Sequence, residues 1–202
     1  MPDWDTKSKD YLLTLGFSKY KKNKYVMVTS DIFYYLSFEG KKKNIYVWYA
    51  FHPLSLPELW PSKGWFGGAG GIPDDYLSIE NDNDIPIVQQ QIKDHLIRSL
   101  PVLLEKAKNL TGLSEMYNTD DFPKGNYPKL ICYLSAKEYR KAKKTLKWLV
   151  ENNDQYPQGD DVKEVIEKLL GLSDDEIDVW LGEIKEKNIK KLKLTKLLKN
   201  DN

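Results

Sequence analysis

Two hydrophobic periods divide this chain. A period of two dominates residues 25–52, and a period near 3.6 dominates most of the chain beyond residue 85. Residues 25–30 and 32–39 read as strands, with Asp31 at a turn or bend between them. In the second strand Ile32, Tyr34, Leu36 and Phe38 fall on one face, and Phe33, Tyr35, Ser37 and Glu39 on the other. A polar connection over residues 40–44, with Lys41, Lys42 and Lys43 at its tip, leads to a third strand at 44–52. There Ile45, Val47, Tyr49 and Phe51 alternate with Tyr46, Trp48, Ala50 and His52. Both faces of this strand are largely apolar. A sheet with one wet face would show polar residues at every second position, so helices or the adjoining loop must cover part of the second face.

The helical pattern starts earlier, with a short amphipathic helix over 5–15 whose buried side is Tyr11, Leu12 and Leu15 and whose stop is Gly16. The long pattern at 85–110 carries Val88, Ile92, Leu96, Leu103, Ala107 and Leu110. Pro86 suits its first turn, Pro101 kinks or splits it, and Gly112 ends it. Residues 111–127 read as loop, and 130–134 as a short strand or the start of a helix. Helices come next at 136–152, 161–170 and 174–187, with a basic segment at 189–199. Ser135 with Glu138, and Ser173 with Glu176, have the spacing of capping boxes. The expected fold class is α+β: a mostly antiparallel sheet of three to five strands packed with helices over residues 1–130, and a helical C-terminal subdomain over 131–202.

Between sheet and long helix, prolines 53, 57, 61 and 73 and glycines 64, 67, 68, 70 and 71 make residues 53–75 a long irregular segment containing Trp60, Trp65 and Phe66. Loops this long inside compact domains are uncommon and often functional. A further strand or turn is expected at 75–79. The glycines lead into Ile72 and Pro73, not into the Lys and Ser/Thr of a phosphate-binding loop.

Composition narrows the function classes. With 41% hydrophobic residues a real core can form, and no run of 18 apolar residues marks a transmembrane helix. No signal peptide is read at the N-terminus, and Cys132, the single cysteine, precludes an internal disulfide and suits a reducing cytoplasm. The net charge of +1 points to no polyanion for the chain as a whole. One cysteine and two separated histidines, His52 and His95, do not make a zinc site, and Glu80, Asp82 and Asp84 lack the glycine and distal glutamate of a calcium loop. No serine-hydrolase or metalloprotease motif occurs. Neither a metal nor a cofactor is called for.

Leu15-Gly16-Phe17 with Lys21-Lys22, the aromatic strands 25–51 ending in Tyr49-Ala50-Phe51-His52-Pro53, and residues 97–104 around Pro101 resemble the domain of unknown function 4304 family. Residues 139–143 (YRKAK) look like the helical tail found after such domains. The resemblance covers about residues 5–150. It implies an α+β sheet-and-helix domain, and it carries no established activity and no catalytic residues.

The expected function is a non-enzymatic, cytoplasmic protein-binding module. The resemblance and the Lys/Asn/Ile/Tyr-rich composition suggest a bacterial toxin–immunity or phage-defence setting. The expected partner-contact residues are Tyr35, Trp48, His52, Trp60, Trp65 and Phe66, because aromatic side chains are enriched in binding hot spots. Two alternatives stay open. An enzyme would need His52 to converge with Asp74, Asp75 and Glu80. A nucleic-acid binder would need Lys21, Lys22, Lys41, Lys42 and Lys43 on one face with the aromatics.

Overall fold

A computed structural model describes residues 2–41, 44–57, 59, 77–117, 125–153 and 159–198. It is an α+β protein with an antiparallel meander, in spatial order β1-β2-β3-β4-β5. The strands are β1 (Ser18–Lys21), β2 (Lys24–Val28), β3 (Ile32–Lys41), β4 (Asn44–Pro53) and the two-residue β5 (Leu77–Ser78). Around them lie α1 (Lys9–Thr14), α2 (Ile85–Lys106), α3 (Leu110–Met116), α4 (Asn126–Ser135), α5 (Tyr139–Glu151), α6 (Asp160–Leu170) and α7 (Asp174–Lys191). β1 is the strand the hydrophobic pattern does not reveal, since Ser18, Lys19 and Lys21 are polar. It pairs with β2 through a turn in which Asn23 adopts φ 57°, a left-handed conformation that asparagine tolerates better than most residues.

The two faces of β3 and β4 divide as their alternation predicts. Tyr34, Leu36, Phe38, Ile45, Val47, Tyr49 and Phe51 build one core with Leu12 of α1, Val88, Ile92, Leu96 and Leu100 of α2, and Leu110 and Leu113 of α3. Buried phenols require hydrogen-bond partners, and two tyrosines of this core find backbone carbonyls. Tyr34 Oη donates to the Ala107 carbonyl at 2.8 Å, and Tyr117 Oη donates to the Phe51 carbonyl at 2.9 Å. On the other face, Val26, Val28, Phe33, Tyr35 and Ala50 join a second core with residues of α4, α5, α6 and α7. Helices therefore supply the cover that the two-sided apolar pattern demands. The division expected at residue 130 falls within α4, whose Cys132 belongs to the first core while Leu130, Ile131 and Leu134 belong to the second.

The segment 130–134 is helical, one of its two expected forms, and its apolar run is buried on two sides. Other local expectations are corrected. Residues 110–116 are helical: Asn109 Oδ1 accepts the Gly112 amide at 2.8 Å and caps α3. Gly112 thus sits inside a helix. A Cβ there would collide with the Lys106 carbonyl oxygen, so the tight α2–α3 corner requires glycine. Pro101 does not split α2, which continues through it to Lys106. The capping box at Ser173 and Glu176 forms, but the one at Ser135 does not. Ser135 closes α4 and its hydroxyl meets that of Ser55 at 2.5 Å, while Glu138 pairs with Lys141 and accepts from Thr111.

Candidate functional site

Strand register places Tyr35, Trp48 and His52 on the same face of the sheet. Four cross-strand rows succeed one another there. Val28, Phe33 and His52 form the first, Val26, Tyr35 and Ala50 the second, Lys24, Ser37 and Trp48 the third, and Glu39 with Tyr46 the fourth. Directly opposed residues in antiparallel strands share a face, and such pairs are the contact unit of a sheet.

The helices cover this face unequally. Phe33, Tyr35, Ala50 and His52 are buried in the first two rows. In the last two rows Trp48 is 37% exposed, Glu39 is exposed, and Lys24 and Tyr46 are half-buried. The structure thus separates residues that the sequence groups together. Tyr35 lies inside the protein, where its ring stacks near Phe33 at 6.4 Å between centroids, and it offers no contact surface. His52 is fully buried and is equally removed from any surface. Trp48 alone of the three is presented outward. Trp60, Trp65 and Phe66 lie outside the described residues.

The open half has a defined chemistry. Trp48 and Tyr46 stack with ring centroids 5.8 Å apart and planes 18° apart. Across β3, Lys24 Nζ lies 3.7 Å from Glu39 Oε1 and 5.9 Å from the centre of the Tyr35 ring. Ser37 Oγ donates to Glu39 Oε1 at 3.3 Å and holds that carboxylate on the sheet. Burial works against the Lys24 charge, but Tyr35 and Glu39 more than offset it and raise its pKa above the ordinary lysine value. The result is a surface with two stacked aromatic rings on β4, the Glu39 carboxylate on the adjacent strand opposite Tyr46, and the Lys24 ammonium two strands or about 10 Å away. Lys24, Ser37, Glu39 and Tyr46 do not stand out in the sequence. Period-two alternation assigns their face, but how far helices extend over that face depends on tertiary packing.

The groups weighed for catalysis are placed differently. Neither ring nitrogen of His52 has a hydrogen-bond partner, and burial pushes its pKa down to about 4, so the ring is neutral at physiological pH. Cys132 is buried in the core, and its thiol pKa is pushed far up by that burial. Glu80 is exposed in the turn before α2, while Asp84 Oδ2 accepts the Glu80 and Asn81 amides and serves the 3-10 turn Asp82–Asp84. Asp74 and Asp75 lie outside the described residues, as do Lys42 and Lys43. Lys21 and Lys22 are exposed at the β1–β2 turn. Among the described residues no group of three or more His, Cys, Asp or Glu could hold a metal ion, and no helix is long and apolar enough to cross a membrane.

No family model, curated protein or solved structure matches the chain. The resemblance to the domain of unknown function 4304 family therefore rests only on sequence segments: Leu15-Gly16-Phe17 with Lys21-Lys22, the aromatic strands, the segment around Pro101 and residues 139–143.

Proposed function

We propose that this protein is a non-enzymatic protein-binding module whose contact surface is the open half of the sheet. The observation that carries this reading is Trp48, exposed on β4, stacked on Tyr46 and flanked by the Lys24–Glu39 pair. A rigid, partly exposed indole beside fixed polar groups is the kind of anchor around which protein interfaces concentrate their energy. Glu39 favours a protein over a nucleic acid here, since a carboxylate amid the aromatics repels phosphate. The setting we infer is cytoplasmic and bacterial, in toxin–immunity or phage defence, on the strength of the family resemblance and the composition.

The test is affinity capture from the native host with wild type and Trp48→Ala in parallel. The expected result is a stoichiometric protein partner that the wild type retains and the variant loses. A partner captured equally by both would refute the open half of the sheet as the contact surface, and the absence of any captured partner would refute the function.

A further inference from the structure

A second surface stands apart from the sheet. Over residues 137–147 the chain carries six bases (Lys137, Arg140, Lys141, Lys143, Lys144 and Lys147) against one acid, Glu138. The segment itself carries 6 − 1 = +5, and with Asp174, Asp178 and Glu151, which lie against its lysines, the surface keeps 6 − 4 = +2. All but Lys137 of these bases lie on α5, where all five are exposed, while Ala142 and Leu149 are buried in the second core. At 100° per residue Arg140, Lys144 and Lys147 fall within an arc of about 60° that points away from the core, and Glu151 shares that arc at the end of the helix.

Four of the six bases have acidic neighbours. Lys137 contacts Asp178 at 2.7 Å, Lys141 contacts Glu138 at 2.5 Å, Lys143 contacts Asp174 at 3.0 Å and Lys147 contacts Glu151 at 3.6 Å. Arg140 and Lys144 have no acidic partner among the described residues. The paired lysines are all more than half exposed, and ion pairs of that kind contribute only about 0–1 kcal/mol, so they exchange partners readily.

We propose that the outer face of α5 is a sequence-independent binding surface for the phosphate backbone of a nucleic-acid duplex. Closely spaced cations along a helix complement a regular line of phosphates. The stripe of Arg140, Lys144 and Lys147 holds no aromatic or apolar anchor of the type a protein interface needs. Its cations are long exposed side chains that reach phosphate oxygens from the helix surface, and phosphate contacts position without specifying. A membrane surface would require an apolar face beside the basic one, and that face of α5 is packed in the core.

Fluorescence anisotropy of the full chain with a labelled DNA duplex of about two helical turns tests this. With about four phosphates engaged, affinity should fall roughly a hundredfold between about 50 and 200 mM salt. The exposed double variant Arg140→Glu/Lys144→Glu should keep its melting temperature, bind at least about tenfold more weakly and reduce the salt slope by about 2. Arg140→Gln/Lys144→Gln should weaken binding in the same direction, and Trp48→Ala should leave it unchanged, which separates this surface from the sheet. The proposal fails if the duplex does not bind at low salt, if binding is insensitive to salt or to the α5 variants, or if the chain binds phosphatidylserine-containing vesicles but not the duplex.

Discussion

His52 shows most sharply what this sheet requires of a single residue. Its alternation partners, Trp48 and Ala50, share its face, yet Trp48 is exposed while His52 is sealed under helices with both nitrogens unpaired. Unpaired buried nitrogens cost stability, and the cost grows when the ring must charge. An unfolded histidine titrates near 6.5, and burial lowers the folded value to about 4. The unfolded chain therefore binds the proton first as pH falls. The neutral ring's contribution is fully present above pH 6.5 and is lost as pH drops toward 4, amounting to about 2 kcal/mol by about pH 5. Urea unfolding of wild type at neutral pH and near pH 5 should show this decline. His52→Leu should abolish most of it and match or exceed wild-type stability at neutral pH. An unchanged slope in the variant would mean that other groups drive the acid response. Asp5 and Asp31 are not those groups: despite burial, Lys19 and Tyr25 hold Asp5, and Lys185 and Ser30 hold Asp31, below the ordinary aspartate pKa, so their protonation matters only at lower pH.

Among the secondary-structure elements, helix boundaries depend on which of two competing local signals prevails. Ser173 caps α7 because nothing helical precedes it directly, and its side chain and that of Glu176 satisfy each other's backbone amides. Ser135 has the same spacing to Glu138, but the apolar run before it is already helix, and Lys137 turns left-handed at φ 58° to start α5 afresh. Ser173→Ala should therefore cost about 1 kcal/mol, while Ser135→Ala should not show a cap's loss of α5 helicity. Circular dichroism with chemical denaturation would distinguish the two. Gly112 is similar in kind: read as a stop, it is the residue that lets α3 begin against the end of α2. Gly112→Ala should destabilise by about 1–3 kcal/mol through the clash with the Lys106 carbonyl, whereas a simple helix-interior glycine would gain from alanine. A more stable Gly112→Ala protein would contradict the observed corner. α3 and β1 escape the hydrophobic pattern because Asn109 and Asn23 shape them through a side-chain cap and a positive φ, which periodicity does not register.

Among the described residues the molecule is a five-stranded sheet between two helical groups, one covering its face more completely than the other. The faces of β3 and β4 are legible residue by residue in the sequence, because a period of two leaves no freedom once a core exists. The open half is not, because it is set by where α4 and its neighbours stop covering the sheet. Lys24, Glu39 and Tyr46 become a surface only through that limit. The proposed binding function depends above all on Trp48 anchoring a protein partner on this open half. The decisive quantity is the dissociation constant of the captured partner for wild type and Trp48→Ala, with melting temperatures measured alongside. A hot spot worth about 2 kcal/mol predicts a loss of roughly thirtyfold with the fold retained. Equal affinity in a folded Trp48→Ala protein would contradict the anchoring role of Trp48.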